Sequence, residues 1–296
     1  MRKAALILSF AALALLQSCG GSLDFLGLVW TLSDTADERF EQSQEYNAKR
    51  GPVTVSVPSD DYKFYVFTDQ HTDETTVNLD KFVNNYLNDT EAAPFCLCLG
   101  DVVDGKDVYS LFLDHIAPIT ENPSIYYFPA LGNHDIYYGQ WDEWKSKFNT
   151  SSYYFEVALP SGAKDFFLCM DTASGTLGRK QIAWVRETLE KAATKGYRHT
   201  IVYTHTNIYK KDGSQGHTSN MELEETYELI KMFSENGVNL VLMGHDHSRE
   251  YTMFNGISYV IIDSLEDTSV CPCYGIVYLG DDDIDLEFVP VGSVAQ

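Results

Sequence analysis

From residue 53 onward the chain alternates between two apolar patterns. Short, nearly continuous apolar runs at 53–57, 62–68, 95–99, 125–131, 199–203 and 239–243 predict buried strands. Between them, polar stretches with helix-forming residues predict helices over 73–87, 106–115, 140–148, 181–193 and 222–235. In 181–193 the apolar positions Ile182, Val185 and Leu189 recur at helical spacing. Residues 152–158 and 165–170 alternate like antiparallel strands, and beyond 243 the pattern turns all-β. There 251–254 and 257–262 flank Asn255-Gly256, a tight-hairpin dipeptide, and 273–279 and 284–289 flank the acidic turn Asp281-Asp282-Asp283. Alternating strands and helices with added hairpins predict an α/β fold with sheets in the middle and helices outside. No internal repeat and no long linker interrupts 52–296, which reads as a single domain.

The N-terminal residues follow a different pattern. Arg2 and Lys3 precede an apolar run over 4–16 that is too short to span a bilayer comfortably, so 1–18 reads as a signal peptide. Its end, Leu16-Gln17-Ser18-Cys19, resembles a bacterial lipoprotein signal. That resemblance implies lipidation of Cys19 and an exported protein anchored to a membrane, on the periplasmic or outer-membrane side. Residues 19–51 read as a tether, flexible at Gly20-Gly21-Ser22, followed by a helix over 35–50 that Gly51 ends.

Charge narrows the choice of partner. The chain has 43 acidic and 21 basic residues, a formal net charge of −22. It would repel phosphate polymers, so an extended nucleic-acid partner is excluded, and a phosphorylated target needs bound cations to attract it. The cysteines beyond Cys19 form an odd, clustered set (Cys96, Cys98, Cys169, Cys271, Cys273), not a disulfide framework. Cys96, Cys98 and Cys169 fall within apolar runs and read as small buried hydrophobes.

The candidate chemistry sits where strands end. Asp69-Gln70-His71, Gly100-Asp101-Val102-Val103-Asp104, Gly132-Asn133-His134-Asp135, His205 and Gly244-His245-Asp246-His247 each follow a strand-like run. Loops at the carboxyl ends of strands are where open α/β sheets bind ligands. Carboxylate, carboxamide and imidazole together suit borderline metals such as Mn, Fe, Zn or Co; the set lacks thiolates and is too rich in nitrogen for a Ca or Mg cage. The donors outnumber the needs of one tetrahedral ion, and sharing through a bridging carboxylate suits a two-metal centre.

The ordered series D-x-H, G-D-x-x-D, G-N-H-[DE], a lone His and G-H-x-H over residues 69–247 resembles that of the calcineurin-like metallophosphoesterases. The resemblance implies a four-layer α/β/β/α fold, a central sandwich of two mixed sheets flanked by helices. It implies two divalent or trivalent transition ions (Mn, Fe or Zn), one held by Asp69, His71 and His247. The second would be held by Asn133, His205 and His245, with Asp101 bridging. His134 would be a non-ligand acid oriented by Asp104. The activity implied is hydrolysis of phosphate mono- or diesters of a small phosphorylated substrate. Alternatives are hydrolysis of nucleotides or of a lipid-linked pyrophosphate and, from another class, a lipid-anchored binding protein with a degenerate site. A degenerate copy loses a bridging Asp or an imidazole, and none is lost here.

Beside the motifs, His115 and His199 read as structural and His217 as a solvated loop residue. Asp73 and Asp135 read as helix caps or supports behind the ligands. Tyr137, Tyr138 and Trp141 read as core, and Glu222, Glu224 and Glu225 as a solvated helix start. Segments 136–151 and 206–221 are where substrate choice is expected to lie. The oligomeric state has no signal in the sequence.

Overall fold

A computed structural model describes residues 35–105, 108–209 and 220–291. Residues 1–18, expected to be a signal peptide, Cys19, His217 and the first residues of the helix expected from 106 lie outside the described residues.

Helix α1 (Ala36–Arg50) opens on a reciprocal capping box between Thr35 and Glu38. There follow β1 (Thr54–Ser56), β2 (Tyr62–Phe67), α2 (Val77–Asn88), β3 (Ala92–Cys98), α3 (Tyr109–Thr120) and β4 (Tyr126–Pro129). A 3-10 helix (His134–Gly139) leads into α4 (Trp141–Phe148), β5 (Tyr153–Ala158), β6 (Lys164–Cys169), α5 (Gly178–Ala193) and β7 (Thr200–Tyr203). The remaining elements are α6 (Leu223–Glu235), β8 (Leu240–Met243), β9 (Glu250–Phe254), β10 (Ile257–Ile261), β11 (Cys273–Leu279) and β12 (Ile284–Pro290). One mixed sheet has the order β1-β5-β6-β7-β8-β10-β9 and the other β12-β11-β2-β3-β4.

The continuous apolar runs exist because these strands are covered on both faces. In β2, Phe64 and Val66 enter the core between the sheets, whereas Tyr65 and Phe67 enter a second core with residues of α2, α3 and α4. In β3, Phe95 and Leu97 take the first side and Cys96 and Cys98 the second. In β6, Phe167 and Cys169 face the other sheet, while Phe166 and Leu168 join a third core with α5 and α6. Three cores separate four layers, α/β/β/α. Strands β2, β3 and β4 run parallel, as do β6, β7, β8 and β10. Among the described residues no helix is long and apolar enough to cross a membrane.

Helix α1, grouped with the tether by its sequence, is bonded into this domain. Arg39 is fully buried and donates through Nε and Nη2 to Asp171 at 2.9 and 3.2 Å, and through Nη2 to Ser174 Oγ at 2.9 Å. The Ser43 hydroxyl accepts from Ser151 N at 3.0 Å, and the amides of Gln44 and Asn47 donate to Ser152 O at 2.9 and 2.8 Å. Removing one partner of a buried ion pair strands the other charge. Arg39→Ala is therefore expected to cost about 3–5 kcal/mol in urea unfolding. A cost below about 1 kcal/mol, the range of exposed pairs, would show that the Arg39–Asp171 pair does not hold α1 to the domain.

Several element ends differ from the sequence pattern for reasons distant in the chain. Helix α2 starts at Val77, not 73, because Thr72 is tied to the loop after β3: Thr72 N donates to Val102 O and Asp104 N to Thr72 O, both at 3.1 Å. Its N-terminus is capped by Asp267, whose carboxylate accepts from Val77 N and Asn78 N at 2.8 and 2.7 Å. Helix α3 continues to Thr120 with Pro118 in its last turn. Glu225 is not solvated: it is buried, accepts from Leu177 N, and burial pushes its carboxyl up to about 7. Glu222 instead caps α6 by accepting from Glu225 N at 2.8 Å.

Candidate metal centre

The strand-end loops of both sheets meet at one place, and they do so through strained backbone. Among the described non-glycine residues, seven have positive φ; five of these are Asp69 (51°), His71 (46°), Asp101 (52°), His245 (73°) and His247 (46°). Such conformations cost about 1–3 kcal/mol each and persist where surrounding bonds over-determine them. Asp69 N donates to Gly100 O and His71 N to Asp101 O, both at 3.0 Å. Asp69 Oδ2 accepts from Thr68 Oγ1 at 2.6 Å and from His245 N at 2.8 Å, which joins the loop after β2 to the loop after β8. Two motif glycines are required by proximity: a Cβ on Gly132 would stand 2.1 Å from Asp101 Oδ1, and one on Gly244 2.1 Å from Thr68 Oγ1.

These loops aim their donors at two adjoining points. At the first are Asp69, His71 and His247, with the two imidazole Nε2 atoms 3.2 Å apart and 3.7 and 3.4 Å from Asp69 Oδ1. At the second are Asp101, His205 and His245, where His205 Nε2 lies 3.1 Å from both Asp101 Oδ2 and His245 Nδ1. Asn133 Oδ1 is 3.0 Å from the same His205 Nε2. Asp101 Oδ2 connects the two points, because it also lies 3.7 Å from His71 Nε2. Donors about 2.0–2.1 Å from one ion stand about 3.0–3.4 Å from each other, which is close to the spacing here.

The donor atoms fit such ions chemically as well. Asp69 Oδ1 is buried without a hydrogen-bond donor among the described residues, as a carboxylate oxygen reserved for a cation would be. His205 Nδ1 bonds Leu99 O at 2.9 Å; a carbonyl only accepts, so a proton sits on Nδ1, and Nε2 faces the site, where a cation would take the place of a second proton. Electrostatics agree. Burial pushes the Asp69 and Asp101 carboxyls up, but their imidazole neighbours, His205 foremost, outweigh it and hold both below the usual range. Burial lowers His71 and His205 in turn, yet Asp69 and Asp101 raise them to about 9. The cradle stabilises positive charge at both points.

His134 lies at the rim, its Nδ1 2.5 Å from Asp104 Oδ1, with side chains 30% and 46% exposed. Its backbone N donates to Asp101 Oδ1 at 2.8 Å. His134 also falls within ligating range of His71 and Asp101, so geometry alone leaves it two roles.

The supports behind the ligands are mostly invisible in the sequence. Asp135 is buried and accepts from Gly132 N (2.8 Å), Asp101 N (3.0 Å) and Val102 N (3.0 Å), clamping the loops after β3 and β4; burial, with Asp101, pushes its carboxyl up to about 7. Its place next to His134 was the signal for it. Ser264 Oγ donates to Asp69 O at 2.9 Å and Glu266 stands 3.9 Å from His247 Nδ1, and neither lies near a motif in sequence. Trp141 is core, but Tyr137 is not: its hydroxyl accepts from Asn133 Nδ2 at 2.8 Å. Asp73 is exposed and bonds Glu74 N, without a ligand contact. His115 bonds Asp80 at 2.6 Å and His199 bonds Gly280 O at 2.7 Å, both away from the site. Cys271 is exposed, and Cys96, Cys98, Cys169 and Cys273 are buried free thiols.

Comparison with known proteins bears on the same residues. No curated protein sequence matches this chain. GAP50, the anchor in the inner membrane complex of Plasmodium, superposes with a TM-score of 0.60 at 15% identity over 79% of this chain and 86% of that one. Purple acid phosphatase PPD1 from yellow lupin (Lupinus luteus) seeds also gives 0.60 at 15% identity, over 80% of this chain but 52% of the plant chain. PhoD gives 0.57 at 9% identity, over 80% and 70%. At these identities the likeness is one of fold. Residues 62–249, which carry every motif from Asp69 to His247, match the calcineurin-like phosphoesterase family. That match spans more than half of the sequence, and the chain belongs to the calcineurin-like phosphoesterase family.

Proposed function

We propose that the protein hydrolyses phosphate esters, mono- or diesters of small molecules, at a two-metal centre. The observation that carries this reading is the position of Asp101, whose Oδ2 faces His205 Nε2 at 3.1 Å on one side and His71 Nε2 at 3.7 Å on the other. Asp69, His71 and His247 would hold one ion, Asn133, His205 and His245 the second, and Asp101 both. Mn, Fe or Zn bound there would supply fixed positive charge against phosphoryl oxygens and acidify a water for attack.

The chain's own residues do the rest. Asn133 adds a ligand oxygen without negative charge, which keeps the site attractive to an anion. Asp104 holds Nδ1 of His134, so the proton available to a departing alkoxide is the one on Nε2, at the exposed rim. A second reading is favoured by one observation, the likeness to GAP50: a binding or anchoring protein on the same fold. Against it stands the ligand set, from which no carboxylate or imidazole is missing.

Stripping the protein with a strong chelator is expected to abolish hydrolysis of p-nitrophenyl phosphate or its diester, and adding Mn is expected to restore it. The panel also carries nucleotides, a pyrophosphate and an alkyl phosphate, which sort the substrate classes. Inactivity on every member after reconstitution with Mn, Fe and Zn would overturn the hydrolase and leave the binding protein.

A further inference from the structure

Asn133 is the one donor in the set whose two terminal atoms are similar in size and opposite in chemistry. Only its oxygen can bind a cation; a half-turn of the amide would aim Nδ2 at His205 and repel one. The side chain is nearly buried, so water cannot satisfy whichever end faces away from the site. In the structure that end is Nδ2, and it donates to the Tyr137 hydroxyl at 2.8 Å. The 3-10 helix that starts at His134 brings Tyr137 back over Asn133, with Ile136 N bonded to Asn133 O. The phenol ring also stands 4.7 Å, centroid to centroid, from the His134 imidazole.

We infer that Tyr137 is a positioning residue for the second metal site, holding the Asn133 amide with its oxygen toward His205 and the cation. This rests on the two-metal reading of the centre. A phenol can accept or donate, so the hydroxyl fixes the plane of the amide rather than its sense, and the cation selects the oxygen. Once oxygen is bound, Nδ2 becomes a stronger donor and the bond to Tyr137 tightens. The hydroxyl therefore favours the occupied site over the empty one, and the two clusters respond differently to its loss. Toward the first cluster Tyr137 stands one ring removed, its phenol beside His134 and the His134 ring 4.5 Å from His71. His205 faces Asn133 directly, at 3.0 Å.

The test is Tyr137→Phe, which keeps the ring beside His134 and removes only the hydroxyl. Metal-free wild type and variant are titrated with Mn2+, followed by calorimetry and by electron paramagnetic resonance, which distinguishes an isolated ion from a coupled pair. Loss of a partner behind a ligand costs roughly 10–100-fold in metal affinity. The expected result is that the variant takes its first ion as wild type does and its second with a dissociation constant raised at least about tenfold. An isolated-Mn signal would then persist at ratios where wild type shows the coupled pair, and excess Mn2+ would restore the pair. Wild-type affinity at both sites would overturn the inference. So would parallel weakening of both sites or a lowered melting temperature in chelator, since either is what a merely structural residue gives. Wild type that binds no Mn2+ would overturn the metal centre itself, and this inference with it.

Discussion

Asp101→Asn is expected to remove more activity than any other single change among the seven candidate ligands. The substitution is nearly isosteric, so the loops keep their shape, and Oδ1 can still accept from His134 N, now at 2.8 Å. What changes is the atom between the clusters. Oδ2 is shared between His205 Nε2 at 3.1 Å and His71 Nε2 at 3.7 Å, and an amide there either halves the acceptor count or points two hydrogens at a cation. The change also removes a buried negative charge that acts on both ion positions, whereas Asp69→Asn acts on one. Charge stabilisation by metals is worth several kcal/mol. A loss of about 4 kcal/mol is roughly 10³-fold in kcat/KM. Steady-state kinetics with elemental analysis is the measurement, and metal content is expected to fall from two ions toward one or none. Retention of two ions with kcat/KM within about tenfold of wild type, 1.36 kcal/mol, would remove Asp101 from its place as the bridge.

The strands and the ligands were legible for the same reason, because each is local in sequence. A strand covered on both faces reads as a nearly continuous apolar run, as β8 does throughout, β2 does apart from Lys63 and β3 does from Phe95 on. A metal ligand at a strand end sits next to its strand, as Asp69, Asp101 and His245 do. The partners of these elements were not legible. Nothing in 273–279 shows that β11 pairs with β2, more than two hundred residues earlier, rather than extending the sheet of β8 and β10. Nothing near Val77 shows that Asp267 caps α2, and nothing in α1 shows that Arg39 reaches Asp171. The left-handed backbone at Asp69, His71, Asp101, His245 and His247 was hidden too, because glycine marks such positions and these are not glycine. The loops hold a conformation their own residues disfavour, and the bonds that enforce it come from Gly100, Thr68 and one another. Glu225 departs from the solvated pattern of its acidic neighbours in sequence because its neighbours in space are Thr176 and Leu177.

His134 has two roles open to it, and leaving-group dependence separates them. Its Nδ1 is taken by Asp104 at 2.5 Å, which leaves Nε2 for one task. If Nε2 gives a proton to the departing oxygen, His134→Asn keeps both ions and loses turnover. General acid catalysis is worth roughly 10²–10⁴-fold, and the loss is expected at that level for an alkyl phosphate. It is expected to be much smaller for an activated aryl phosphate, whose leaving group departs with little proton assistance. Asp104→Asn is expected to give the same pattern more weakly, because it disturbs the orientation and charge of the imidazole and leaves the acid in place. The geometry also puts His134 within ligating range of His71 and Asp101, and a histidine held by a carboxylate is a common metal ligand. That arrangement predicts a different outcome: His134→Asn would lose an ion, and both substrates would slow together. Equal losses on both substrates with metal content intact would mean that the imidazole only positions phosphate. The exposed rim position, with 30% of the side chain open to an incoming substrate, favours the acid, and the alkyl–aryl gap at constant metal content is the result expected.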